Sequence, residues 1–223
     1  MNRRNKVVSV QETRAQVTRE KLLKAAIKLV NRHGMSYLTV RNICDEAGLS
    51  TGSFYNLFSG KEELIAYYLK YAFTSYKKQA EEEAKNYNPI ERCILIYRFY
   101  VRCCQEVGIE FVSELYAANL NTFFDFLHRD TEEDLIIDVV RMYLEQGKVE
   151  GIVREDVDID EALLRIAACS TGLLFYWCVF KGDIDIEYQM DEAMRTYLLS
   201  ICVDPNMHVD LEPIEKKGSF LNK

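Results

Sequence analysis

The sequence predicts an all-α protein, and two features of its composition support that class. Its 223 residues include only 3 prolines and 10 glycines, which is too few turn residues for a β-sandwich or a doubly wound sheet. Hydrophobic residues make up 48% of the chain and charged residues 28%, a balance typical of a globular protein with a sizeable core. We therefore expect about nine helices, arranged as an N-terminal head of three helices and a larger C-terminal helical domain.

Each predicted helix is a run of apolar residues at helical spacing, bounded by residues that cap or break helices. Thr39 and Ser50 can cap the second and third helices, and Lys61 opens the long fourth one. Glycines mark other breaks, at Gly34, Gly48, Gly108, Gly147, Gly151 and Gly182. The predicted helices span about residues 17–33, 40–47, 51–57, 61–85, 89–107, 109–127, 131–147, 159–181 and 185–202.

The charge of the chain is divided unevenly along its length. The net charge is −7, but residues 1–61 carry a balance of +7 and residues 62–223 a balance of −14. A basic head attached to an acidic remainder indicates that the head binds an anion.

The cysteines and the apolar runs indicate the compartment. The seven cysteines form no CxxC motif and the first ten residues lack the apolar region of a secretory signal, so we expect free thiols in a reducing cytoplasm. The longest apolar run, residues 166–180, is shorter than the roughly 20 residues of a bilayer span, and it predicts a buried helix. The vicinal pair Cys103-Cys104 fits a redox or soft-metal sensor as well as buried, inert thiols, and we favour the inert thiols.

Residues 39–58 contain two short helices separated by a glycine turn, which is the pattern of a helix-turn-helix whose second helix enters the DNA major groove. Ala47 allows the two helices to approach closely, and Gly48 can adopt the positive φ that the turn needs. The side chains predicted to fill the core beneath are Leu49, Phe54 and Phe58. The residues left facing outward are Thr51, Gly52, Ser53, Tyr55 and Asn56.

A longer signature surrounds this motif. It comprises an amphipathic helix ending at His33-Gly34, followed by Leu38-Thr39-Val40-Arg41-Asn42-Ile43, Ala47-Gly48-Leu49-Ser50, Gly52-Ser53-Phe54-Tyr55, Phe58 and Lys61-Glu62-Glu63-Leu64. With this signature, which covers about a fifth of the chain, the sequence resembles the TetR family of bacterial transcriptional regulators. The total length and the helical remainder also suit that family.

The resemblance implies roles for the residues of the head. It implies that Tyr55 contacts the DNA backbone and that Lys61 meets a phosphate at a helix N-terminus, and both roles are physically sound. The other implied DNA-binding residues are Thr39 and Arg41 at phosphates, and Ser50, Thr51, Gly52, Ser53 and Asn56 on or beside the reading helix. Many relatives carry Lys or Arg at the position of Thr51, so guanine readout from this position is weakened. The basic arm adds further candidates, at Arg3, Arg4, Lys6 and Arg14.

The resemblance also implies a homodimer, formed by the last two long helices of each chain. Two recognition helices about 34 Å apart would then meet successive major grooves of a palindromic operator. The candidate interface residues are Ala167, Ala168, Thr171, Gly172, Phe175, Met194 and Leu198. The predicted domains are 1–60, the arm and helix-turn-helix; 61–203, the ligand-binding and dimerisation domain; and 204–223, a tail without periodicity that we expect to be loosely held.

Aromatic residues are dense between the head and the predicted dimer helices, and most of them are expected to be core. The resemblance implies that an inducer binds among them, and we expect a small apolar or aromatic molecule whose binding releases the DNA. The residues predicted to line this site are Phe99, Cys103, Tyr116, Phe123 and Trp177.

Two other classes of function compete with a ligand-responsive repressor. An enzyme is disfavoured, because none of the three histidines lies beside a serine or cysteine at an informative spacing and the chain has no P-loop, GxGxxG or HExxH motif. A DNA-binding dimer without an inducer, such as an architectural or cell-division factor, would share the same head and remains open. No cofactor or metal is expected. The sign of regulation is also open, since some relatives activate transcription.

Overall fold

The computed structural model describes residues 3–117 and 136–217, and the structural statements below refer to these residues. They form nine α-helices and no strand beyond a single isolated bridge between Val153 and Cys202. The helices are α1 Arg3–His33, α2 Val40–Ala47, α3 Thr51–Tyr55, α4 Lys61–Glu83, α5 Pro89–Val107, α6 Ile109–Ala117, α7 Ile136–Val149, α8 Ile159–Val179 and α9 Ile186–Ser200. The all-α prediction is confirmed.

The capping residues explain where these helices begin. The Thr39 and Ser50 hydroxyls accept hydrogen bonds from the backbone N–H groups of Asn42 and Ser53, both at 3.1 Å. Gly48 closes α2 at a φ of 66°, in the left-handed region that glycine tolerates best. Asn88 starts α5 with a full capping box that includes the carboxylate of Glu91.

Two predicted boundaries in the head are wrong. The first helix begins at Arg3 and not near Val17. Residues 3–16 contain no glycine or proline that would interrupt a helix, and a helix can continue through residues that form no apolar face. The third helix ends at Tyr55, two residues earlier than predicted.

The chain divides into two compact units, Met1–Tyr68 and Leu69–Lys223, which we call the head and the body. The largest core side chains of the head come from α1 to α4 and include Leu22, Leu38, Ile43, Phe54, Leu64 and Ile65. In the body, α5 is central and packs against α6, α7 and α9, while α8 packs against the same three helices. Each unit therefore has a core of its own.

Gly147 was predicted to break a helix, but it lies buried inside α7. A Cβ atom at this position would lie 2.7 Å from Cγ2 of Val153, so glycine permits the turn after α7 to fold back closely onto the helix. This role depends on a tertiary contact, which is why the sequence pattern alone suggested a break.

We expect Gly147→Ala to lower the free energy of unfolding by up to about 2 kcal/mol. The clash with Val153 costs about 1–3 kcal/mol and outweighs the roughly 1 kcal/mol that alanine gains in a helix. Urea denaturation of the full chain measures the change. In the Val153→Ala background, which removes the clashing methyl groups, Gly147→Ala should be neutral or stabilising. An equal loss in both backgrounds would contradict the steric explanation.

The apolar run predicted to be a buried helix is buried on one face only. It forms most of α8, a helix long and apolar enough to cross a membrane by length and composition, and a third of its most apolar stretch is buried. The other face exposes large apolar side chains, at Leu164, Phe175, Tyr176 and Val179.

The tail was predicted to be loosely held, and the structure places residues 210–217 of it in contact with the helices of the body. Leu211 is buried, and backbone N–H groups of the tail donate hydrogen bonds to the carboxylates of Glu91 and Asp191. These contacts could not be predicted from the sequence, because polar contacts to distant helices leave no periodic pattern.

Candidate nucleic-acid interface and effector site

The helix-turn-helix of the head rests on two phenylalanines. Phe54 and Phe58 are buried, with their ring centroids 5.6 Å apart, and the Phe58 ring lies 5.6 Å from that of Tyr67 in α4. Leu49, predicted to join this core, is half-buried. The aromatic contacts hold α3 against the start of α4, so the outward residues of α3 sit on a packed base.

Ion pairs connect α1 with α2. The ammonium group of Lys28 contacts the carboxylate of Glu46, and the guanidinium of Arg32 lies 3.9 Å from the same carboxylate. The hydrogen bond from Lys28 lowers the pKa of Glu46, so this carboxylate is ionised at neutral pH. These contacts support the orientation of α2, which precedes the reading helix.

The outward surface of α3 is polar and uncharged. Thr51, Gly52 and Asn56 are exposed, and Tyr55 is 60% exposed with its ring edge against Phe54, at 5.6 Å between centroids. Ser53 is half-buried, and its hydroxyl lies 2.9 Å from the hydroxyl of Ser50. Hydroxyl and amide groups of this kind can bind base edges or phosphate oxygens.

The predicted phosphate contacts flank this surface. Thr39 is exposed and acts as the cap of α2, and Arg41 is exposed with its Nε 4.0 Å from the Asp45 carboxylate. Lys61 is the first residue of α4, where the helix dipole favours anions. The N–H group of Ser59 donates to the Glu63 carboxylate at 2.6 Å and fixes the chain just before that helix.

Of the predicted basic arm, the structure describes only the side chain of Arg14, which is exposed on α1. The side chains of Arg3, Arg4 and Lys6 lie outside those described.

Tyr37 is a candidate that the sequence analysis missed. It lies two residues before Thr39, its side chain is 48% exposed, and its ring packs 4.6 Å from that of His33. The Asn42 amide donates to the Tyr37 carbonyl at 2.8 Å and holds this short loop in place. Its position could have suggested a DNA contact from the sequence alone, because it is an aromatic residue in a loop just before a helix cap.

The body contains a cluster of buried and half-buried hydroxyl and thiol groups between α5, α6 and α8, which we call the hydroxyl–thiol cluster. Its members are Tyr97, Tyr100, Cys104, Ser113, Tyr116, Ser170 and Cys178. The Tyr116 hydroxyl donates to the Thr171 carbonyl at 3.1 Å. Tyr97 and Ser170, Tyr100 and Cys104, and Ser113 and Cys178 are close enough for each pair to influence the pKa of one member.

Burial keeps this cluster uncharged. It raises the pKa of the Tyr97, Tyr100 and Tyr116 phenols and of the Cys104 thiol far above neutrality. The neighbouring Cys103 has its pKa raised to about 12 by burial and by Glu106. The vicinal cysteines therefore lack the thiolate character of reactive thiols. Among the described side chains, no three metal-ligating groups converge on one point.

The predicted ligand residues do not gather at one place. Tyr116 belongs to the hydroxyl–thiol cluster, but Phe99 and Cys103 lie on another face of α5 from Tyr97, and the Arg102 guanidinium stacks 5.6 Å from the Phe99 ring. Trp177 is buried in the body near Gly182, and Phe123 lies outside the described residues. Tyr97, Tyr100 and Cys104 stand at positions i, i+3 and i+7 and therefore share one face of α5. This spacing could have identified the α5 part of the cluster from the sequence.

The predicted dimer residues also divide into two groups. Met194 and Leu198 are 1% and 0% exposed within a single chain, so they fill the body core and their placement at a dimer surface is corrected. On α8, Phe175 and Ala168 are exposed, and Ala167, Thr171 and Gly172 are half-buried.

Comparisons with known proteins agree with this architecture. The sequence model of the family described as bacterial regulatory proteins, tetR family, matches residues 22–68. The chain is 26% identical over 170 residues to the HTH-type transcriptional repressor NicS of Pseudomonas putida. This match covers 71% of the chain and 76% of NicS.

Solved structures show the same fold. Thermus thermophilus FadR, a TetR-family transcriptional repressor in complex with lauroyl-CoA, matches with a TM-score of 0.66 at 18% identity, over 89% of this chain and all of that one. RolR in complex with resorcinol matches with a TM-score of 0.59 at 22% identity, over 85% of this chain and 90% of the other.

Proposed function

Since this chain is a member of the TetR family of bacterial regulatory proteins, we propose that it is a cytoplasmic repressor that binds a palindromic operator as a homodimer and is released by a small molecule. The observation that carries this proposal is the head: a helix-turn-helix on a packed aromatic base, with neutral polar groups facing outward and cations beside them. Such a surface can read base edges from α3 while Arg41 and Lys61 hold phosphates.

The exposed face of α8 supports the homodimer. Leu164, Ala168, Gly172, Phe175 and Val179 lie at steps of three or four residues and form one stripe along the helix. Large apolar residues stand at its two ends and small ones in its middle, where two helices could cross closely. A second copy of this stripe is the partner that fits it best, because a two-fold axis brings identical surfaces together.

The hydroxyl–thiol cluster supports a neutral effector. Its groups are phenols, hydroxyls and thiols that burial keeps protonated, so it favours an uncharged molecule with hydroxyl or carbonyl groups. Such a ligand would exchange hydrogen bonds with groups that now pair with one another across α5, α6 and α8. Binding that favours one arrangement of these helices would shift the population of states that bind DNA.

The first test is selection of random duplex DNA by the purified protein at about physiological salt. We expect a palindrome to be enriched. Tyr55→Ala should weaken binding to that palindrome by about 10–100-fold, since it removes both the hydrogen bond and the ring from the backbone contact. Tyr55→Phe is the matched control, because it keeps the packing against Phe54. It should lose only the part of the DNA-binding affinity that the hydroxyl group contributes.

Enrichment of DNA without a common sequence, with a steep salt dependence, would contradict operator reading and favour an architectural role. The enriched palindrome also provides a probe for effectors. Neutral phenols and ketones that release the protein from this DNA would support the ligand proposal, and Tyr100→Phe should weaken their effect without changing operator affinity.

A further inference from the structure

The segment 209–217 follows the last helix and crosses the seam between α5 and α9. Its charged side chains are exposed, Leu211 is its one buried residue, and Val209 and Ile214 are half-buried. The segment also meets three separate carboxylates of the helical body, at Glu91, Asp185 and Asp191. Polar contacts therefore hold it at three places.

The first anchor is Glu91, whose side chain is buried near the start of α5. One of its oxygens accepts the Asn88 N–H at 2.9 Å and closes the capping box. The other oxygen accepts the backbone N–H groups of Asp210 and, at 3.2 Å, Leu211. Both oxygens of this carboxylate are thus occupied, one by the helix and one by the tail.

The second anchor is Asp191, whose side chain is fully buried on α9 between two arginines. Its oxygens accept from Arg98 Nε at 2.7 Å and from Arg195 Nε at 2.8 Å, and one of them also accepts the Ile214 N–H at 3.3 Å. Burial alone would raise the pKa of Asp191, but hydrogen bonds from the two arginines hold it below its usual range. The carboxylate is therefore ionised.

The same arginines reach the tail. Arg98 of α5 donates to the Glu212 carbonyl, and Arg195 of α9 donates to the Leu211 carbonyl. Each guanidinium thus bridges Asp191 and the tail backbone, and together they connect both helices to one extended segment.

The third anchor is Asp185, the N-cap of α9. It accepts the Tyr188 N–H through one oxygen and the Lys217 N–H, at 2.5 Å, through the other. The ammonium group of Lys216 lies over the Tyr188 ring, 5.7 Å from its centroid. The ammonium group of Lys217 lies 3.6 Å from the Glu187 carboxylate.

We propose that residues 209–217 are a strap that locks α9 onto α5 and opens as a single unit while the helices stay folded. Its contacts with the body include charge-assisted hydrogen bonds to rigid helical groups, and its own apolar contacts are few: Leu211 is buried, and Val209 and Ile214 are half-buried. The core of the body buries many more apolar side chains, among them Met194 and Leu198 of α9. Opening the strap therefore costs less free energy than unfolding the core, which is the condition for a separate local opening. Because α9 also packs on α8, strap opening loosens the helix beside the proposed dimer face.

Amide hydrogen exchange on the full chain tests this proposal without DNA or effector. The key variant is Glu91→Gln, whose single carbonyl oxygen cannot serve both Asn88 and the tail. We expect the amides of Asp210, Leu211, Ile214 and Lys217 to lose protection together, by about tenfold or more, although Glu91 touches only the first two. The amides of residues 94–104 in α5 should keep theirs. Glu215→Gln, an exposed acid-to-amide change in the strap itself, is the matched control and should leave all four unchanged.

Two results would overturn the strap. If Glu91→Gln exposes only the amides of Asp210 and Leu211, the three anchors act independently and no unit opens. If the four amides exchange at the rate of the α5 core in the unaltered chain, the segment opens only when the body unfolds. Asp191→Asn provides a second route to the same answer, because it should release Asp210 and Leu211 from a distance. A failure to find an operator would leave these outcomes unaffected.

Discussion

Phe54→Ala is expected to unfold the head under conditions in which the body remains folded, and so to abolish sequence-specific DNA binding. The Phe54 side chain is 0% exposed and its ring contacts those of Tyr55 and Phe58, both at 5.6 Å between centroids. Truncation of a buried phenylalanine costs about 3–5 kcal/mol, which is a large share of the roughly 5–15 kcal/mol that stabilises a domain.

The single tryptophan makes this result measurable unit by unit. Trp177 is buried in the body, so its fluorescence reports the body, while circular dichroism reports helix in both units. We expect Phe54→Ala to lose part of its helical signal in an early thermal transition that leaves the fluorescence of Trp177 unchanged. Phe54→Leu keeps most of the volume and should lose about 1 kcal/mol. A single transition at the original midpoint in Phe54→Ala would contradict the packing described for the head.

The sequence predicted helices best where local chemistry alone sets a boundary. The fifth helix was placed correctly at 89–107, because Asn88, Pro89 and Glu91 supply a complete start signal and Gly108 an end signal. The caps at Thr39 and Ser50 likewise follow from their own side chains. Cap hydrogen bonds span two or three residues, so they can be read from a short stretch of sequence.

Properties that depend on a neighbour distant in sequence could not be predicted in the same way. Helical spacing placed Met194 and Leu198 on an apolar face of a helix. Only the packing of α9 in the body shows that this face is covered within one chain. Gly147 was assigned as a break because its contact with Val153 forms only after the chain turns back. The strap was missed for the same reason, since Glu91 binds backbone groups 119 and 120 residues away.

In the candidate sites too, local features could be predicted from the sequence and contacts between distant residues could not. The exposure of Thr51, Gly52, Tyr55 and Asn56 on α3 could be predicted because a helix-turn-helix is a local motif with fixed offsets. The residues predicted to line the effector site do not share one face of α5, because aromatic character does not say which face of a helix a side chain occupies. Spacing along α5 would have grouped Tyr97, Tyr100 and Cys104, and the structure joins them to partners on α6 and α8.

Gly172→Glu is expected to convert the proposed homodimer into a monomer and to lower operator affinity by about 100-fold, because two linked heads gain far more than one from a palindrome. Gly172 lies in the middle of the exposed α8 stripe. A Cβ atom built on it meets nothing within 4 Å, and most residues have a better helix propensity than glycine. The substitution should therefore leave the isolated chain folded while it places two like charges where the helices would cross.

Sedimentation velocity and the midpoint of thermal unfolding separate these effects. The matched control is Val149→Glu, which places the same charge on a side chain that is 89% exposed at the end of α7, away from the stripe, and should leave both assembly and operator affinity unchanged. Gly172→Ala distinguishes crowding from charge, since a methyl group should weaken the dimer less than a carboxylate does. A Gly172→Glu protein that stays dimeric at the original operator affinity would show that the copies meet elsewhere. The apolar stripe on α8, with its large residues at the ends and small ones between, would then need another partner.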